Sequence, residues 1–130
     1  MNETEAMRKY AAACGIGENL PPLDAPVRPL PCVRDEGGEI AAQSVKRLFA
    51  KIDEELNELK AISIAGLPLD ARVSEEREDI SLDVLKFIAD EAADVITAVT
   101  TLCEALGIDA EARDAAQART NRRNRERGRL

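Results

Sequence analysis

The sequence predicts an all-α fold, a helical bundle in which two long helices pack antiparallel and oligomerisation completes the burial. Three observations carry that expectation. Ala and Leu supply most of the apolar residues, while the aromatics amount to two Phe and one Tyr with no Trp, a balance that favours helices over strands. Two stretches of roughly 25 residues place apolar side chains at steps of three and four. Glycine and proline stand at the ends of those stretches and not within them. The 130 residues suit about one domain, and neither a βαβ alternation nor an internal repeat interrupts them.

In chain order, residues 2–14 read as a short helix, with Asn2 or Thr4 able to cap it and Gly15 and Gly17 beyond its end. Residues 18–38 hold Pro21, Pro22, Pro26, Pro29 and Pro31 and close on Gly37-Gly38, which makes them an extended connector. Leu20, Leu23, Val27, Leu30 and Val33 recur along it, so it is expected to lie against the helical body. Residues 1–38 are set apart on this basis from a helical domain over 39–130. The first long helix is expected from Glu39 to about Ala65, burying Ala41, Val45, Leu48, Ile52, Leu59 and Ile62 before Gly66 and Pro68 end it. A charged connection over 66–80, with a helical turn near its end, reverses the chain. The second long helix is expected from Ser81 to Leu106, burying Val84, Ile88, Val95, Ala98 and Leu102 and stopping at Gly107. Each helix would span roughly 38 Å. Asp109 caps a third helix through Ala110–Ala118 toward Arg125, after which the chain is expected to fray.

Composition narrows the chemistry. The chain has no histidine, which excludes Ser-His-Asp and Cys-His machinery and any histidine-ligated zinc or di-iron site. Net charge is −7, unevenly spread: residues 1–112 carry 11 Lys/Arg against 23 Asp/Glu, residues 113–130 seven Arg against Asp114 and Glu126. Such a body repels nucleic acid and anionic membranes, while its basic end can meet phosphate. Cys14, Cys32 and Cys103 form no CxxC pair, no apolar run reaches membrane-spanning length, and no signal peptide opens the chain. A cytoplasmic location without a membrane partner is the expectation.

Both apolar stripes contain an acid where a hydrophobe belongs. Counting 41, 45, 48, 52, 55, 59, 62 puts Glu55 in the first stripe, and counting 84, 88, 91, 95, 98, 102 puts Glu91 in the second. Glu58 and Asp94 follow three residues later, on the same helix faces. Acid-x-x-acid spacing occurs six times in this chain and most instances suit a solvated face. Glu55/Glu58 and Glu91/Asp94 differ in being embedded in apolar stripes. Unpaired buried carboxylates cost several kcal/mol each, and Lys51 and Lys86 are expected off the line of the stripes. A divalent cation is the better counter-charge, and all-oxygen ligands select Mg²⁺ or Mn²⁺.

Glu54-Glu55-Leu56-Asn57-Glu58, followed by Glu91-Ala92-Ala93-Asp94, resembles the EExxE…ExxD signature of the all-α nucleoside triphosphate pyrophosphohydrolases. That superfamily includes MazG-like enzymes, dimeric dUTPases and phosphoribosyl-ATP pyrophosphohydrolase. The resemblance covers roughly residues 40–125, with a spacer of 32 residues between Glu58 and Glu91 that is longer than usual for MazG-like proteins. It implies hydrolysis of a (deoxy)nucleoside triphosphate to the monophosphate and pyrophosphate, with Glu55, Glu58, Glu91 and Asp94 holding one or two Mg²⁺ (or Mn²⁺). Glu58 is the choice for the base that takes the water's proton. Glu54 points about 100° away from Glu55 and either supports a ligand or faces solvent.

The segment Asn121-Arg122-Arg123-Asn124-Arg125 is similar to the Asn- and basic-rich stretch that follows the ExxD helix in phage-type MazG proteins, with arginine where lysine is usual. The resemblance makes Asn121, Arg122, Asn124 and Arg125 candidates for phosphate or sugar contacts; a disordered or nucleic-acid-binding end is the competing expectation. Phe49 and Phe87 read as core, Tyr10 has no assigned partner, and no base pocket is legible. Leu85, Ile96, Val99 and Cys103 lie outside the main stripe of the second helix, which predicts a second buried face and hence a homodimer or homotetramer. Two alternatives remain beside a MazG-like enzyme: phosphoribosyl-ATP pyrophosphohydrolase, and a non-catalytic helical protein whose Arg-rich end binds nucleic acid or an acidic partner.

Overall fold

The structure is a computed structural model that describes residues 27–66, 70–76 and 79–130. The expected helix over 2–14, the connector before Val27, Tyr10 and Pro68 lie outside them. The described chain is mostly helical, as expected. A hairpin of β1 (Arg34–Asp35) and β2 (Gly38–Glu39) leads into a 3-10 turn at Ile40–Ala42, then α1 (Val45–Gly66), α2 (Val73–Glu76), α3 (Leu82–Ala105) and α4 (Ala110–Glu126).

The hairpin is absent from the sequence expectations and straddles the division placed between residues 38 and 39. Arg34 pairs with Glu39 and Asp35 with Gly38 across an antiparallel register. Gly38 takes φ +101°, a conformation that glycine adopts without strain, and Asp35 accepts from the Gly37 N–H at 2.6 Å. Strands of two residues are too short to show an alternation of apolar and polar positions.

The first long helix starts at Val45 and not at Glu39. Gln43 is extended at φ −88°, ψ 160°, and the Ser44 hydroxyl caps α1 by accepting from the Arg47 N–H at 3.1 Å. Ala41, in the 3-10 turn, and Val45, at the first position of α1, are exposed, while Ile40 is the most buried apolar residue described. The later boundaries fall as expected. Ser81 accepts from the Val84 N–H at 3.2 Å and Asp109 from the Ala112 N–H at 2.9 Å. Gly107, at φ +82°, ends α3 in a Schellman motif, with Ile108 N donating to Cys103 O and Gly107 N to Glu104 O. Gly128 ends α4 in the same way, after a helix that continues to Glu126. The helical turn in the connection, α2, lies mid-way along it rather than at its end.

Ile40, Leu48 and Leu102 form the core, with Ile52 and Ala105 packed against them. Ala98 is also buried, and the expected stripe of α3 faces inward throughout. Leu48 meets Leu102 while Glu55 meets Glu91 and Asp94, so sequence rises along α1 as it falls along α3. Burying a side chain such as Leu48 stabilises by about 1.5–3 kcal/mol, and few described residues contribute at that level. Phe49 and Phe87 are 53% and 55% exposed, so neither is core within one chain. No helix among the described residues is long and apolar enough to cross a membrane.

From Val27 on, the connector lies along the body as expected, and its backbone is hydrogen-bonded to α3. Val27, Leu30 and Val33 are exposed. The Cys32 N–H donates to Thr101 Oγ1 at 3.0 Å, and that buried hydroxyl donates to Thr97 O at 2.8 Å. An ion pair between Arg28 and Asp114 ties the same segment to α4.

Candidate metal centre

Glu55 on α1 and Glu91 and Asp94 on α3 each offer a carboxylate oxygen within 4.8 Å of the others. Glu55 is 8% exposed, Glu91 half-buried and Asp94 exposed, so the cluster grades from interior to surface. Glu55 Oε2 and Glu91 Oε2 are buried and have no hydrogen-bond partner among the described residues. A buried acceptor without a donor loses its hydration and recovers nothing, at a cost of about 1–3 kcal/mol and more when charged. Two such oxygens converging with a third carboxylate form a donor set of hard oxygens without imidazole or thiolate. Ligand oxygens around one octahedral Mg²⁺ lie up to about 4.2 Å apart, so the trio stands close to the span that such an ion needs. The residues present fit a hard divalent cation.

Lys51, expected off the line of the stripe, nevertheless pairs with its acid. Its Nζ lies 2.9 Å from Glu55 Oε1 and 3.5 Å from Glu54 Oε2. The hydrogen bond to Glu55 raises the Lys51 pKa above its ordinary value despite an opposing effect of desolvation, and the charges of Glu55 and Glu54 add to the rise. One half-exposed ammonium satisfies one oxygen of Glu55, and among the described residues no counter-charge meets Oε2, Glu91 or Asp94. Glu54 itself is exposed and touches Lys51.

Glu58 is exposed and stands outside the trio, but beside it. When protonated, Glu58 can donate a hydrogen bond to Glu55, and that contact together with the negative charge of Glu55 pushes the Glu58 carboxyl above its ordinary value. Desolvation and the charges of Glu91 and Glu54 push in the same direction. With both groups ionised neither holds a donor, and Glu55 Oε2 is left unpaired among the described residues.

The tail residues lie on α4, and among the described residues no hydrogen bond or ion pair brings them to the acids. Asn121 accepts from Gln117 at 2.9 Å, Asn124 accepts from Arg129 at 3.4 Å, and Arg122 and Arg125 are exposed. The attachment of α4 lies at its start, where Arg113 meets Glu104 and the Ile108 carbonyl at 2.6 and 2.7 Å.

Beside the acids lies a cavity of about 150 Å³ that the sequence did not reveal. Ile40, Leu48 and Ala98 line it together with Cys32, Thr97 and Thr101, the carboxylates Glu55 and Asp94 share it, and the cations Arg34 and Lys51 line it as well. Asp35, Gln43 and Arg47 also line it and are linked to one another: Gln43 donates to Asp35, Arg47 donates to Gln43, and Arg47 Nη2 lies 3.6 Å from Asp35. Desolvation raises the Asp35 carboxyl, but the Gly37 N–H, the Gln43 amide and Arg47 outweigh it and hold the group below its ordinary value. No protein-family model matches the chain, and neither a curated protein nor a solved structure matches it.

Proposed function

We propose that this chain is a Mg²⁺-dependent nucleoside triphosphate pyrophosphohydrolase of MazG-like type, cleaving a (deoxy)nucleoside triphosphate to the monophosphate and pyrophosphate. One observation carries the proposal: two buried, partnerless carboxylate oxygens from different helices converge with a third carboxylate, on the residues that resemble the EExxE…ExxD signature. Glu55, Glu91 and Asp94 would hold the ion, with Glu58 joining from the open side. A bound Mg²⁺ supplies neutralisation of phosphate charge and a lowered pKa for a coordinated water. Glu58 would accept a proton at its exposed carboxylate, and Lys51 would keep Glu55 oriented through Oε1.

The chain works in this proposal as a homodimer or homotetramer. Ile96 and Val99 on the outer face of α3 are 52% and 42% exposed, with Leu85 and Cys103 half-buried beside them, and a second copy would cover that face. Asn121, Arg122, Asn124 and Arg125, which stand clear of the acids in their own chain, would reach substrate across such a contact. A second reading draws on the same exposed arginines of α4: a binding protein whose basic helix meets nucleic acid, with affinity that falls steeply with salt.

A pyrophosphate-release panel over nucleoside triphosphates, with phosphoribosyl-ATP included, tests the assignment. Turnover that needs Mg²⁺ and disappears in Glu91→Gln is expected. A chain that binds nucleic acid equally well with and without Glu91→Gln, and releases no pyrophosphate, would be the binding protein instead.

A further inference from the structure

We propose that α4 is a DNA-binding helix that lies in the major groove of a duplex, at a site separate from the acids. The proposal rests on the reading of α4 as a basic binding helix and holds whether or not the acids hydrolyse a nucleotide. Six arginines stand within 11 residues, Arg119, Arg122, Arg123, Arg125, Arg127 and Arg129, against the single acid Glu126. All six are exposed. Arg123 donates to Thr120 and Arg129 to Asn124, and among the described residues none of the six meets a carboxylate. No residue of α4 is buried. No apolar side chain stands between Ala118 and Leu130, so this stretch can dock neither by inserting into a lipid surface nor by filling an apolar groove. Charge and hydrogen bonding are what it offers. Its cations are all arginine, whose planar fork matches phosphate in a bidentate way.

The order of residues along α4 suits a groove. Gln117, Asn121 and Asn124 fall four and then three residues apart, on one face of the helix. Gln117 and Asn121 are exposed and Asn124 half-buried, and the Gln117 amide donates to Asn121 Oδ1 at 2.9 Å. At about 100° per residue, Arg122 and Arg125 fall to one side of this amide stripe and Arg123 and Arg127 to the other. A helix about 10–12 Å across fits the B-DNA major groove, about 12 Å wide. Amides there face base edges, and the flanking arginines face the two phosphate backbones. The helix has no aromatic residue and so lacks the stacking platform that holds single strands. The acidic body does not bar the approach. Glu111 and Asp114 stand in the first two turns of α4, and Asp114 is paired with Arg28. Arg122 follows the Arg113 anchor by nine residues, about 13 Å of helix. That exceeds the Debye length of about 8 Å at physiological salt, so the carboxylates at the anchor are largely screened from it.

Fluorescence anisotropy of a labelled mixed-sequence DNA of about 20 base pairs, titrated with the full chain between about 50 and 200 mM salt, tests the site. Pyrophosphate release is followed on the same preparation. Four phosphate contacts, from Arg122, Arg123, Arg125 and Arg127, should raise Kd about 150-fold across that range. Arg122→Gln combined with Arg125→Gln removes two of the four and should leave a rise of about 12-fold. Both residues are exposed, and the wild-type series stands by itself if the variant does not fold. Single-stranded DNA of the same length, and polyglutamate, should each bind about tenfold or more weakly than the duplex. Duplex binding without pyrophosphate release would support the site and sink the hydrolase reading. Absence of duplex binding at the lowest salt would overturn the site, and pyrophosphate release alongside that absence would leave the hydrolase reading standing. A salt dependence unchanged in the variant, or single-stranded DNA or polyglutamate bound as tightly as the duplex, would also overturn the site.

Discussion

Glu91→Gln is expected to make the metal-free protein more stable and to remove its stabilisation by Mg²⁺. Two unit charges at the cluster's 4.8 Å outer limit repel by about 3.5 kcal/mol at an effective dielectric constant near 20. Glu91 faces two such neighbours, Glu55 and Asp94, and water around the exposed Asp94 screens its share. A gain of about 1–3 kcal/mol from neutralising Glu91 remains after that discount. The amide also offers a donor within the cluster that holds the partnerless Glu55 Oε2. For a chain of this size the gain corresponds to a rise in Tm of roughly 4–12 °C. The wild type should instead gain about 2.7 kcal/mol from an ion at a hundred times its dissociation constant, and the variant close to nothing. Calorimetry in chelator and in Mg²⁺, on both proteins, gives the four numbers needed. A variant that melts lower in chelator and keeps the full Mg²⁺ shift would show that protein groups hold Glu91 and that no ion is needed there.

Acidification should stabilise the metal-free protein through Glu58. Its folded pKa lies above the ordinary value of 4.5, so its contribution is full below that value and is lost as pH rises through the folded pKa. The wild-type Tm in chelator should fall more steeply across that window than in Glu58→Gln, and equal slopes would refute it. Thr101→Val removes the acceptor for the Cys32 N–H and should cost about 1–2 kcal/mol in urea unfolding; unchanged hydrogen exchange at the Cys32 amide would rule out that anchor. Val99→Asp places a charge on the outer face of α3 and should split an oligomer in light scattering while the chain stays helical. A wild type that scatters as a monomer with full activity would remove the need for a second copy.

The helices that were legible in the sequence carry their own punctuation. Ser81 and Gly107 bracket α3, Asp109 opens α4, and in each case a side chain or a positive φ enforces the boundary locally. The start of α1 was misread because Ile40-Ala41-Ala42 fit the helical period, and only the Ser44 cap and the extended Gln43 show that the helix begins after them. The acidic cluster was legible as an interruption of two stripes, a pattern that needs no tertiary information. Lys51 was missed because a position off the stripe at its Cα still reaches Glu55 four residues on, through a long flexible stem. The cavity had no signature at all. Its walls come from the connector, the 3-10 turn and two helices, and a volume shared by distant segments leaves no local period.

The acids and the core lie on the same helix interface, and that arrangement dictates where the metal-free protein is weakest. The buried apolar residues, Ile40, Leu48, Ala98 and Leu102, gather where the start of α1 meets the end of α3. Glu55 follows Leu48 by seven residues, about 10 Å along the helix. Beyond it α1 and α3 are joined by half-buried residues such as Leu59, Ile62, Val84 and Ile88. Repulsion among Glu55, Glu91 and Asp94 therefore acts at the border between a well-buried end and a thinly buried one. The apolar end has the Cys32–Thr101 bond as a further tie, and the distal end has the α1–α3 connection. Without a cation, amides of α1 beyond Glu58 and of α3 before Glu91 should exchange hydrogen faster than those around Leu48 and Leu102. Adding Mg²⁺ should slow the distal amides far more than the proximal ones, because an ion bridging the acids closes the border they share. Slowing that is uniform along both helices would mean that the acids do not divide the interface, and that the metal acts on the fold as a whole.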